Sequence, residues 1–222
     1  MTHLKKWIFV VIIISLTSLI AMPIHAGAGE IIVTTTEDSG DGSLREAILS
    51  ANANGGGTIR FLIDAPRPYT LALESALPEI TSPVLIDGEA DCATETTSTQ
   101  MSVMIDGTNT DGDGFFLTEE AGGSIIRGLT IGGFVAGAGI YVDGANAVTI
   151  TCNHIGISAN GTQATPNDIG VFVRGDVSGV AIGGDGTESR NVISGNTRYG
   201  VWVNDLAIVD ICLLYTSPSP RD

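Results

Sequence analysis

The chain has 222 residues, with 29 glycines, 43% apolar residues and only 16% charged ones. Frequent Thr, Ile and Val make this the composition of a β-rich fold, and it argues against a helical protein or wholesale disorder. The net charge is −15, and the only lysines, Lys5 and Lys6, lie among the first 26 residues. The remainder repels nucleic acid and anionic membrane surfaces, and it has no lysine for a Schiff base, a phosphate loop or general-base work.

Residues 1–26 have the layout of a secretory signal. Lys5 and Lys6 give a positive start, Trp7 to Ala21 is an apolar core, and Met22-Pro-Ile-His-Ala26 ends on a small residue. Ala26-Gly-Ala28 offers a second cleavage site. The alternative is an uncleaved anchor. The apolar run is short for a full span and is interrupted by Ser15, Thr17 and Ser18. The expectation is a secreted or cell-surface protein with no membrane span after cleavage.

Residues 30–63 read as an N-terminal cap. Ile31 to Thr35 is rich in β-branched residues, as a strand requires. Glu37-Asp-Ser-Gly-Asp-Gly42 is turn chemistry. Ser43 and Glu46 form a capping box that opens a helix, and Leu44, Ala47, Ile48 and Ala51 give it one apolar face. Asn54-Gly55 stops it, and Thr58 to Ile63 is the next strand. Such a helix ahead of a repeat covers the open apolar end of the first coil.

Residues 64–211 read as coils. Leu77 to Thr81 and Val84 to Gly88 look like early strands. Asp91 to Gln100 is polar and Thr-rich, a loop leaving the repeat. Beyond Val103 four phrases rhyme: Gly114-Phe-Phe-Leu117, Gly139-Ile-Tyr-Val142, Gly170-Val-Phe-Val173 and Gly200-Val-Trp-Val203. Their glycines are separated by 25, 31 and 30 residues. A second group comprises Val148-Thr-Ile150 and Val180-Ala-Ile182. A third comprises Leu129-Thr-Ile131, Asn153-His-Ile155 and Asn191-Val-Ile193. Three short strands per period predict an all-β fold: a right-handed, three-sided parallel β-helix, or solenoid, with a short N-terminal capping helix. Helical repeats are disfavoured, because no window sustains a 3.6-residue apolar period.

Four stretches carry two resemblances. Thr36 through Asn54 resembles the "CSLREA" segment at the start of many exported bacterial β-helix proteins, with Gly42 where that motif has its cysteine. Asn153 through Thr162, Gly170 through Val173, and Ile182 through Asn196 resemble the right-handed β-helix repeat family. That resemblance covers roughly residues 30–210 and implies a pectate-lyase-like fold. It is specific for fold and poor for function, because the family includes lyases, epimerases and adhesins.

Within each phrase the aliphatic residues alternate with the aromatic one, so they occupy opposite faces of a strand. The aliphatics are expected inward. Phe116, Tyr141, Phe172 and Trp202 are then expected outward, stacked at strand spacing of about 4.8 Å. A stripe of roughly 400 Å² is the size of a patch that marks function. Such a stripe could hold a glycan; the alternatives are a self-stacking ladder or a surface covered by another part of the protein. Asn153 and Asn191 recur at one corner, where their amides are placed to bond coil to coil.

Asn109-Thr-Asp-Gly-Asp-Gly114 with Glu120 has nearly the spacing of an EF-hand loop. It begins with Asn and lacks flanking helices, so it reads as an acidic turn, with a looser Ca²⁺ site at Asp111 and Asp113 as the alternative. No catalytic residue is assigned. His154 is the only histidine after residue 26 and is expected to be a solvated residue on a coil surface. Arg174 and Asp176 flank one strand end, and Arg127 and Arg198 lie on others. No adjacent Asp pair suits glycoside hydrolysis. Acidic glycans would be repelled unless Ca²⁺ bridged them.

Cys212-Leu-Leu-Tyr-Thr-Ser-Pro-Ser-Pro-Arg-Asp222 breaks the preceding pattern. It back-translates into a string that looks like the transposon-end adapter of sequencing libraries, so residues 212–222 are expected to be an artefact and the coils to be truncated near Ile211. Two cysteines then remain, Cys92 and Cys152. Export permits a disulfide between them; two unpaired thiols are the alternative. The leading expectation is an exported scaffold, an extracellular carbohydrate-binding or adhesion module without catalysis, whose partner is an extracellular polysaccharide or cell-surface glycan. The alternative is a polysaccharide lyase or epimerase whose site is partly lost.

Overall fold

The computed structural model describes residues 29–90, 101–212 and 214–215. The signal-like segment, Cys92 and the end of the tail lie outside the described residues.

The first three elements are β1 (Glu30–Val33), α1 (Leu44–Ala53) and β2 (Gly57–Phe61). Ser43 precedes the helix in an extended conformation, and its Oγ accepts the Glu46 amide at 3.2 Å. That bond satisfies one of the donors orphaned at a helix start. Leu44, Ala47, Ile48 and Ala51 are the buried face, as their spacing predicts.

Three strands follow: β3 (Tyr69–Ala72), β4 (Val84–Asp87) and β5 (Val103–Asp106). The chain then repeats itself. β6 (Phe115–Leu117), β7 (Ile125–Arg127) and β8 (Leu129–Gly132) make one circuit. β9 (Ala138–Asp143), β10 (Thr149–Thr151) and β11 (His154–Ile155) make the next. β12 (Ile169–Arg174), β13 (Val180–Ile182) and β14 (Asn191–Ile193) make a third. β15 (Tyr199–Val203), β16 (Val209–Ile211) and β17 (Leu214–Tyr215) close the described chain.

Each circuit gives one strand to each of three sheets. The first sheet runs β1-β2-β4-β7-β10-β13-β16, the second β3-β5-β8-β11-β14-β17, and the third β6-β9-β12-β15. Every pairing between these strands is parallel, and each sheet grows in chain order. The fold is predominantly β and is consistent with a parallel β-helix. The three groups of rhyming phrases correspond to the three sheets.

Alternation builds the core. Ile140, Val142, Val171 and Val173 are fully buried. Burial of each stabilises the fold by about 1.5–3 kcal/mol. Val201 is only half-buried and Val203 is exposed, because among the described residues β15 has a neighbour on one side alone. The glycine that opens each phrase has a steric cause. A Cβ on Gly170 would lie 2.4 Å from the Gly200 carbonyl oxygen, and one on Gly114 would lie 2.4 Å from that of Gly139. Adjacent backbones approach too closely there for any side chain.

Asparagines tie the circuits together. Asn153 Nδ2 donates to the Ile126 carbonyl at 2.9 Å, and Asn153 Oδ1 accepts the Leu129 amide at 3.1 Å. Asn191 Oδ1 in turn accepts from the Asn153 backbone at 3.0 Å, while Asn191 Nδ2 donates to the Ile150 carbonyl at 2.7 Å. A second ladder, not foreseen from sequence, repeats this bonding with Asn167 and Asn196. Asn167 Nδ2 donates to Asn196 Oδ1 at 3.0 Å, and Asn167 Oδ1 accepts the Phe134 amide at 3.2 Å. Buried corners carry backbone groups that the sheets do not pair, and an amide side chain can both donate to and accept from them.

Two expectations need correction. Leu77 to Thr81 is not a strand; it makes a single parallel bridge, Ile80 to Leu117. Pro78 removes an amide donor within that segment, which limits ladder formation. His154 is not solvated. It is 6% exposed, because residues 156–165 fold back over it and close with an antiparallel bridge between Ile157 and Ala164.

Candidate functional site

The third sheet aligns its strands so that Phe116 pairs with Tyr141, Tyr141 with Phe172, and Phe172 with Trp202. Strand spacing then fixes ring spacing. Successive ring centroids lie 4.8, 4.7 and 4.6 Å apart, with interplanar angles of 12°, 15° and 15°. All four rings are half-buried. They form a continuous column across the outer face of the sheet. Each inner ring places both of its faces against its neighbours, so the column presents ring edges outward. Trp202 stacks on Phe172, and the exposed Tyr199 tilts toward it at 5.4 Å and 38°.

Polar groups border the column. The Tyr141 hydroxyl lies 3.5 Å from Asp143 Oδ2. Burial pushes the Tyr141 pKa above its ordinary value, with the charges of Asp143 and Asp113 adding to the rise, so the hydroxyl remains a donor. Arg174, the residue after Val173, binds Asp143 with both ends of its fork: Nε to Oδ1 at 3.2 Å and Nη2 to Oδ2 at 2.7 Å. At the other end of the strands Arg198 grips Asp168 likewise, through Nε at 2.7 Å and through Nη2. Hydrogen bonding to these carboxylates raises the pKa of both guanidinium groups. Asp176, the sequence neighbour of Arg174, is not its partner. Arg127 pairs across strands with Asp87 at 3.3 Å.

Asp113 and Asp111 lie in the turn between β5 and β6. Asp113 Oδ1 accepts the Ala138 amide at 2.6 Å, which ties this turn to the next circuit. Burial pushes the Asp113 pKa up, and the Ala138 amide opposes that. Asp111 is exposed, and Glu120 accepts the Thr118 hydroxyl at 2.7 Å. Among the described residues no group of three or more His, Cys, Asp or Glu is placed to hold a metal ion. His154 Nδ1 lies 3.2 Å from the Ser158 carbonyl, and burial holds its pKa below the ordinary value. Cys152 is disulfide-bonded, and Cys212 is free.

Sequence reasoning missed Asp143 and Asp168 as partners of the arginines. The signal was present: Asp143 and Arg174 each follow the last residue of a rhyming phrase, and Asp168 and Arg198 each stand two residues before its glycine. No protein-family model and no curated protein matches the chain.

Proposed function

We propose that this chain is an exported right-handed, three-sided β-helix of the pectate-lyase-like kind that serves as an extracellular carbohydrate-binding or adhesion scaffold. The four-ring column on the third sheet is the observation that carries the reading. A rigid apolar strip with hydroxyl, carboxylate and guanidinium groups at its margins matches the mixed apolar and polar surface of a sugar chain. Because inner rings use their faces on each other, a glycan would touch ring edges along the column, with Trp202 and the exposed Tyr199 at one end of it. The arginines that a lyase would recruit as bases or uronate anchors are engaged by carboxylates of adjacent strands. That favours a scaffold over the second reading, a polysaccharide lyase or epimerase.

Pull-down on a panel of polysaccharides, comparing the full chain with Phe172→Ala and Trp202→Ala, tests the reading. Retention lost in Trp202→Ala is the expected result. Equal retention by all three proteins would remove the column from the account, and unsaturated products released from an acidic glycan would favour the lyase.

A further inference from the structure

We propose that the aromatic column takes an uncharged polysaccharide and turns away polyuronates. This inference rests on the carbohydrate reading above and names its ligand class. A uronate needs a cation with free donors. The two guanidinium groups bordering the column are Arg174 and Arg198, and each holds a carboxylate of the adjacent strand through two bonds. An arginine engaged that way has its Nε–Nη2 edge occupied and its charge balanced by that carboxylate, so its remaining N–H groups meet a uronate without a net positive charge.

The carboxylates outnumber those cations. Asp143 and Asp168 are engaged by the arginines, Asp113 stands close enough to act on the Tyr141 hydroxyl, and Asp205 acts on Arg174. A polyuronate would meet that negative margin on a chain whose net charge is already −15. An aminated chain is drawn by the same negative surplus, so its retardation is expected to fall as salt rises. An uncharged chain is neither repelled nor drawn by that charge. Its hydroxyls donate to the remaining carboxylate lone pairs, and its carbon faces meet ring edges and Trp202.

The test is affinity electrophoresis of the full chain through gels containing uncharged glycans (β-glucan, xylan, galactomannan), polygalacturonate or chitosan, at low and high salt. An uncharged glycan is expected to retard the protein equally at both salt concentrations, with no retardation by polygalacturonate. Asp143→Asn removes the charge that balances Arg174, so this variant is expected to gain at least a several-fold, salt-sensitive retardation by polygalacturonate. Retardation of the wild type by polygalacturonate, or by chitosan alone with no dependence on salt, would overturn the inference and leave the carbohydrate reading standing. An unchanged Asp143→Asn variant would overturn the arginine lock as the selector. Retardation by no polysaccharide at all would overturn both.

Discussion

Asn191 Oδ1 lies 3.0 Å from the backbone nitrogen of Asn153 and 3.3 Å from its side-chain Nδ2. Both residues are fully buried. Each side chain therefore satisfies the corner of the preceding circuit, and that of Asn153 is itself satisfied by Asn191. Asn153→Ala removes the side-chain partners of the Leu129 amide and the Ile126 carbonyl, while Asn191 Oδ1 keeps the Asn153 backbone amide. At about 1–3 kcal/mol for each of the two orphaned buried groups, the expected loss is roughly 2 kcal/mol or more. Urea unfolding checks it, and a loss below about 1 kcal/mol would mean that water replaces the amide.

The close approach at the phrase glycines makes a second prediction. Gly170→Ala places a Cβ against the Gly200 carbonyl, whereas Gly29 has nothing within 4 Å. Gly170→Ala is expected to destabilise by about 1–3 kcal/mol, the range for overpacking, and Gly29→Ala to be silent. Melting temperatures of the two variants decide it.

His154 gives a pH dependence whose sign is fixed. Burial lowers its folded-state pKa from 6.5, so the unfolded chain binds a proton more readily than the folded one. The contribution of neutral His154 is fully present above pH 6.5, and it is lost as pH falls from there toward the depressed value. His154→Gln is expected to flatten the stability profile between that value and pH 7. An unchanged profile would show that another group carries it.

Cys152 is disulfide-bonded. Reduction is expected to cost about 2–4 kcal/mol and to lower the melting temperature. A thermal melt with and without reductant measures it.

Much of this architecture was legible because a parallel stack repeats its sequence with its geometry. The phrases sorted into three sheets by their patterns alone, and Asn153 with Asn191 marked a corner because each opens a strand of the same group. Ser43 fixed the helix start through a local rule. What escaped notice was set by contacts between distant segments. Burial of His154 depends on the fold-back of residues 156–165, where no apolar period gives warning. Asn167 and Asn196 lie in connections outside the rhyming phrases. The outward rings were expected as a stripe with a self-stacking ladder as one alternative, and register and ring orientation show the stacked arrangement.

Trp202 is the sole tryptophan beyond residue 26, so its fluorescence reports on the end of the column without interference. The most direct test is a titration of the chain lacking residues 1–26 with soluble polysaccharide, followed by Trp202 emission. A saturable shift, reproduced by the same glycan's longer oligosaccharides and absent with polygalacturonate, is predicted. Saturable glycan binding by pull-down with unmoved Trp202 emission would contradict the account, because the glycan would then lie away from the column.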